Sequence, residues 1–217
     1  VPFALLTVPA LAGLVLCSYY PMWSHSQLSL GKYHRFETIR PKIASTGWLA
    51  SLFHGPEILS ASEKGELAYY GEGIGGFTTV TKYTDAFGNI QLTMANSGKP
   101  DASTYGDMTT QTLCAHFPLL FHKNPKAVMV LGLASGITSG EVLCYPVEQL
   151  DILEISDQVV KASDLFIPWN NKVLSDPRTN LIIQDGRAHL ELSEKNYDVI
   201  TSEPSSLIKK ALSMEPS

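Results

Sequence analysis

The chain has 217 residues, 44% of them hydrophobic and 17% charged, with 16 Lys and Arg against 21 Asp and Glu for a net charge of −5. This composition supports a packed core, in one domain or two small ones, and excludes wholesale disorder. No Lys/Arg block occurs, so nucleic acid is not an expected partner, whereas a cationic ligand meets no repulsive field.

Residues 1–23 begin with the uncharged run "VPFALLTVPALAGLVLC", followed by Tyr19, Tyr20 and Trp23. An apolar run capped by aromatics reads as the end of a transmembrane helix with an interfacial belt. The alternative is a buried core helix or an apolar arm on a partner. No basic segment precedes the run, which weakens a signal-peptide reading. Residues 24–65 alternate short apolar clusters with Gly and Pro and read as a linker with short helices. From residue 66 to about 100, "ELAYYGEG", "FTTVTKYTD" and "NIQLTMAN" are strand-like, with "TDAFGN" as a hairpin turn. These predict a small antiparallel β-domain.

Residues 101–217 change character. "MTTQTLCAHFPLLFH" places Leu113, Phe117, Leu120 and Phe121 at helical spacing. The apolar segments "AVMVLGL", "QLDILEI", "NLIIQDG" and "YDVITSE" then alternate with helical ones. Such alternation predicts an α/β fold with a mostly parallel sheet covered by helices. Ligands of such sheets bind at the carboxyl ends of the strands.

Four candidate stations fall at those ends. The first strand runs into a turn containing Gly132, Ala134, Ser135 and Gly136, where small residues let backbone approach a ligand. The second ends at Glu154, which reads either as an acceptor for the two hydroxyls of a ribose or as a solvated loop carboxylate. The third ends at Asp185–Gly186, which reads either as an adenine contact or as a common Asp-Gly turn. The fourth ends at Glu203, before Pro204. Carboxylates gathered at one sheet edge repel one another unless a ligand supplies hydroxyls, amines or positive charge. The expected ligand is therefore a nucleoside, with a cationic group beside it. The His residues show no ligand spacing, and no metal site is expected. Cys17, Cys114 and Cys144 are odd in number and far apart, which fits a reducing compartment without a disulfide framework.

Taken in order, "ANSGKPDASTYGDMTTQTLCAHFPLLFHKNPKAVMVLGLASG", "VEQLDILEIS", "LSDPRTNLIIQDGRAHL" and "YDVITSEPS" resemble the spermidine/spermine synthase family of polyamine aminopropyltransferases. The likeness is closer to bacterial members in which the synthase domain follows a multi-helix membrane domain. The resemblance implies a Rossmann-like fold, of the S-adenosylmethionine-methyltransferase type, after a small antiparallel β-domain and an apolar N-terminal helix. It implies aminopropyl transfer from decarboxylated S-adenosylmethionine to a di- or polyamine, with no tightly bound cofactor. On this reading Gly132, Ala134, Ser135, Gly136, Glu154, Asp185 and Gly186 hold the cosubstrate. Asp107 and Gln111 contact the amine, and Glu203 stands where the family has its catalytic acid. It further implies membrane association through residues 1–20 with a cytoplasmic catalytic domain, a soluble cytoplasmic protein being the alternative, and leaves a homo-oligomer open.

Three features depart from the family pattern. The typical turn carries an Asp that holds the aminopropyl ammonium, and Ser135 occupies its place. A hydroxyl accepts a hydrogen bond but cannot neutralise charge. A second family Asp is replaced by Ser206. The family's chain also continues with further strands, whereas this one starts at Val1 and stops with "SSLIKKALSMEPS", so a fragment is expected. Two other readings therefore stand beside aminopropyl transfer. One is a methyltransferase-like enzyme using ordinary S-adenosylmethionine. The other is a non-catalytic nucleoside-binding or structural module with a degenerate site.

Overall fold

The computed structural model describes residues 4–19, 25, 29, 40–41, 43–54 and 65–202. The chain divides into two compact units, Val1–Glu63 and Lys64–Ser217. The first contains α1 (Ala4–Tyr19) and α2 (Trp48–His54). α1 is uncharged and carries Pro9 within it. Among the described residues, no helix is long and apolar enough to cross a membrane. The 16 residues of α1 rise about 24 Å, short of the roughly 30 Å of a hydrocarbon core. This corrects the expectation of a membrane-associated protein anchored through residues 1–20.

The second unit opens with four antiparallel strands in the order β1-β2-β3-β4: β1 (Glu66–Gly73), β2 (Gly76–Thr84), β3 (Ile90–Asn96) and β4 (Lys99–Ser103). Their Thr, Val and Tyr content suits a pleated, half-buried surface. The β2–β3 turn is held by Asp85, whose Oδ1 accepts the backbone N–H groups of Phe87 and Asn89, each at 2.8 Å. β4 is a strand that the three strand-like segments did not include. It carries Pro100 and pairs with β3 through an irregular register: Ala95 faces Pro100 and Met94 faces Ala102, so Asp101 has no partner in the ladder.

Next comes α3 (Met108–Phe121), and its buried face is Gln111, Ala115 and Leu119. The apolar stripe that signals this helix in the sequence lies on its other side. Phe117, Leu120 and Phe121 are exposed. Beyond it the chain alternates through β5 (Ala127–Leu131), α4 (Ile137–Val142), β6 (Gln149–Glu154), α5 (Asp157–Ser163), β7 (Thr179–Ile183), α6 (Gly186–Leu192) and β8 (Val199–Ser202). The four strands are parallel, in the order β7-β6-β5-β8. The chain thus winds outward from β5 to β7 and returns to the other side of β5. Such a reversal of strand order opens a crevice at the carboxyl edge. Val128, Val130, Leu150 and Ile152 are fully buried in the sheet, packed with Phe166, Ile137 and Ala162 of the covering segments.

The edge is level. Leu131 aligns with Leu153 on one side and with Ser202 on the other, and Glu154 aligns with Ile183. Four successive strand ends therefore reach one line, as the alternating pattern predicts.

Candidate nucleoside site

The turn after β5 is built from left-handed backbone. Gly132 has φ +91°, Ala134 +46° and Gly136 +80°. The Gly132 N–H donates to the Leu153 carbonyl at 2.8 Å, and the Gly136 N–H donates to the Leu133 carbonyl at 2.8 Å. Gly136 is also close-packed: a Cβ there would sit 3.1 Å from Asn170 Nδ2. Asn170 is buried and clamps the turn, its Nδ2 donating to the carbonyls of Ser135 (3.1 Å) and Ser163 (3.2 Å).

Glu154 lies at the end of β6, 8% exposed. Its Oε2 accepts the Leu133 N–H at 3.0 Å and its Oε1 accepts the Ser156 N–H at 2.9 Å. Two backbone donors thus orient the carboxylate, and an ionised carboxylate has about four acceptor positions, so two remain for ligand hydroxyls. Asp185 caps α6, its Oδ1 accepting the Ala188 N–H at 2.8 Å. β7 is tied to β6 here by the Gln184 N–H donating to the Glu154 carbonyl at 3.0 Å.

These ends surround a cavity of about 520 Å³, lined among others by Gly132, Glu154, Ile155, Asp185, Gly186 and Leu190. Glu154 and Ile155 also line a smaller cavity of about 210 Å³, which reaches Thr78 and Asn96 of the antiparallel sheet. Four of the residues singled out in the sequence, Gly132, Glu154, Asp185 and Gly186, therefore meet at one cavity. Apolar walls with a few convergent polar groups suit a flat aromatic base with a polar sugar. Ile155 and Leu190 went unremarked in the sequence, although an apolar residue directly after Glu154 that is 45% exposed is a signal visible once the strand end is placed.

Ala134, Ser135 and Gly136 are not among the residues lining either cavity. Ser135 is fully buried, and its Oγ donates to Gln111 Oε1 at 2.5 Å. Gln111 is fully buried as well, its Nε2 donating to the Ser103 carbonyl at 2.8 Å. Two expected ligand contacts are thus bonded to each other. Asp107 precedes α3, with its backbone N–H donating to Ser103 Oγ at 3.0 Å. Glu203 lies outside the described residues. Cys144 is no activated nucleophile: burial raises its thiol pKa, and the nearby Glu141 carboxylate adds to the rise.

Residues 108–213 match the family model described as the spermine/spermidine synthase domain. A polyamine aminopropyltransferase of Bacillus subtilis (strain 168) is 34% identical over 120 residues, 54% of this chain and 42% of that protein. Putrescine N-methyltransferase 3 of Nicotiana tabacum is 40% identical over 86 residues, 39% of this chain and 23% of that protein. A solved spermidine synthase in complex with the transition-state analogue AdoDATO aligns with a TM-score of 0.58 at 23% identity, covering 64% of this chain and 47% of that one. The chain spans less than half the length of the relatives it matches. The fold is the Rossmann-like, methyltransferase-type sheet preceded by a small antiparallel sheet, and the match to the spermine/spermidine synthase domain covers residues 108–213.

Proposed function

We propose that this domain transfers an aminopropyl group from decarboxylated S-adenosylmethionine to a di- or polyamine, the nucleoside being a cosubstrate rather than a bound cofactor. The observation that carries the proposal is the meeting of Gly132, Glu154, Asp185 and Gly186 at one cavity on the sheet edge, within a segment of this family. In this reading Glu154 holds the ribose hydroxyls with the oxygen positions its backbone donors leave open. Asp185 accepts from the adenine amine, and Ile155 and Leu190 flank the base.

The chemistry asks little more of the protein. A sulfonium is an activated leaving group, so the enzyme must align an amine nitrogen with the carbon and remove its proton. The carbon–sulfur bond breaks as the nitrogen–carbon bond forms, and the electron pair stays on sulfur as a thioether. Glu203 is the residue proposed to orient the amine and take its proton.

The test is binding of three ligands, namely S-adenosylmethionine, its decarboxylated form and methylthioadenosine, followed by mass spectrometry of products with a panel of amines. Preference for the decarboxylated form and a mass gain of one aminopropyl group per acceptor are expected. Preference for the carboxylated form with methylated product would replace this reading with methyl transfer, and no binding at all would sink both. A Glu203→Gln variant with undiminished transfer would remove Glu203 from its role.

A further inference from the structure

An aminopropyl arm ends in an ammonium group, and a cation buried at a site needs a carboxylate. Ser135 does not supply one: it has no charge, it is fully buried, and its hydroxyl is bonded to Gln111. The acids at the larger cavity already have partners, Glu154 in two backbone N–H groups, Asp185 as the cap of α6 and Glu191 in Arg187. Asp151 is saturated by four donors. Among the described residues, the one carboxylate oxygen that is buried and has no hydrogen-bond partner is Oδ1 of Asp101.

Asp101 is the residue that the β3–β4 ladder skips. A bulge of this kind re-aims a side chain, and bulges recur beside binding sites. The other oxygen, Oδ2, accepts from Asn96 Nδ2 at 2.7 Å, and Asn96 Oδ1 in turn accepts from Thr78 Oγ1 at 2.7 Å. Thr78 and Asn96 line the smaller cavity, which shares Glu154 and Ile155 with the larger one. Two residues further along β4, the Ser103 carbonyl takes the amide of Gln111, whose own oxygen takes Ser135 of the glycine turn. Asp101 is thus linked to the cleft by hydrogen bonds on one side and by the strand on the other. An oriented carboxylate with a buried, unpaired oxygen is costly alone and repaid by a cation.

We infer that Asp101 binds the ammonium end of the group carried on the ligand's sulfur, supplying from β4 the charge that the turn at Ser135 lacks. This rests on the adenosyl reading of the larger cavity. The test compares two thioethers by calorimetry, methylthioadenosine with a neutral arm and S-adenosyl-3-thiopropylamine with a cationic one. Wild-type protein is expected to favour the cationic ligand by about 10-fold, the size of one charge-assisted hydrogen bond. Asp101→Asn, which keeps an acceptor for Asn96, is expected to abolish that preference while leaving methylthioadenosine affinity unchanged; Asp101→Ser is the second variant should the first fold poorly. A preference retained in both variants, or absent from the wild type, would overturn the inference alone. Failure of the wild type to bind either thioether would overturn the adenosyl reading with it.

Discussion

Tyr197 donates its hydroxyl to Asp151 at 2.6 Å, tying the segment before β8 to the middle of β6. Asp151 is fully buried, and Gln149, Asn180 and Lys195 complete its set of donors at 2.9, 3.1 and 3.0 Å. At the same end of the sheet, Asp198 Oδ2 accepts the backbone N–H groups of Lys126 and Ala127, joining the starts of β8 and β5. The return crossover is therefore held by polar anchors, and the position of β8 beside β5 depends on them.

Tyr197→Phe removes one donor and leaves Asp151 buried with three. The expected loss is about 1.5–3 kcal/mol, the range for a hydrogen bond to a charged group. Urea unfolding with an unchanged slope checks it, and a midpoint equal to wild type would show the anchor to be idle.

The same cluster sets an acid limit. Burial alone would raise the Asp151 pKa, but the hydrogen bonds from Tyr197, Gln149, Lys195 and Asn180 outweigh it and lower it from 3.8 to about 2. Because the folded value is depressed, the stabilisation is full above the unfolded pKa near 4 and is lost as pH falls toward 2. Its size is about 2 kcal/mol at neutral pH. Stability measured across this window should fall by that amount in wild type and by less in Tyr197→Phe.

Gly140 in α4 touches the backbone of Asn170; a Cβ there would lie 2.3 Å from the Asn170 carbonyl oxygen. Backbone cannot rotate away as a side chain can. Gly140→Ala is expected to cost about 1–3 kcal/mol by overpacking, despite the better helix propensity of alanine. A melting temperature equal to or above wild type would contradict this packing.

Glu154→Gln keeps the shape but offers one carbonyl oxygen where two oxygens now accept backbone N–H groups. Stability should drop by about 1–3 kcal/mol for the unpaired buried donor. Methylthioadenosine affinity should fall by at least about 10-fold if, as proposed, the remaining acceptor positions take the ribose hydroxyls. Unchanged affinity would separate Glu154 from the ligand.

Much of the architecture is legible in local patterns. The four apolar strands announce themselves by alternation with helices, the β2–β3 turn by Asp85 and Gly88, and the cavity at the sheet edge by Gly132, Glu154 and Asp185 at successive strand ends. Three features are not. β4 carries Pro100, a residue that argues against a strand, and the irregular pairing at Asp101 accommodates it. The buried face of α3 includes Gln111, so hydrophobic spacing points to the wrong side of the helix. The pairing of Ser135 with Gln111 joins residues from two elements and has no local signature. The aspartate of "QLDILE" is a missed clue, since a charge inside an apolar strand implies partners elsewhere in the chain.

Glu154 accepts its backbone donors from Leu133 and Ser156, on either side of the edge it serves. The part of the cleft proposed to hold adenosine is consequently welded to the fold, and a change at Glu154 is felt as lost stability as well as altered recognition. Asp101 has one oxygen held by Asn96 and one with no hydrogen-bond partner. In the proposed reading, a different sulfur substituent would be met by a change at Asp101, with the Glu154 contacts left in place.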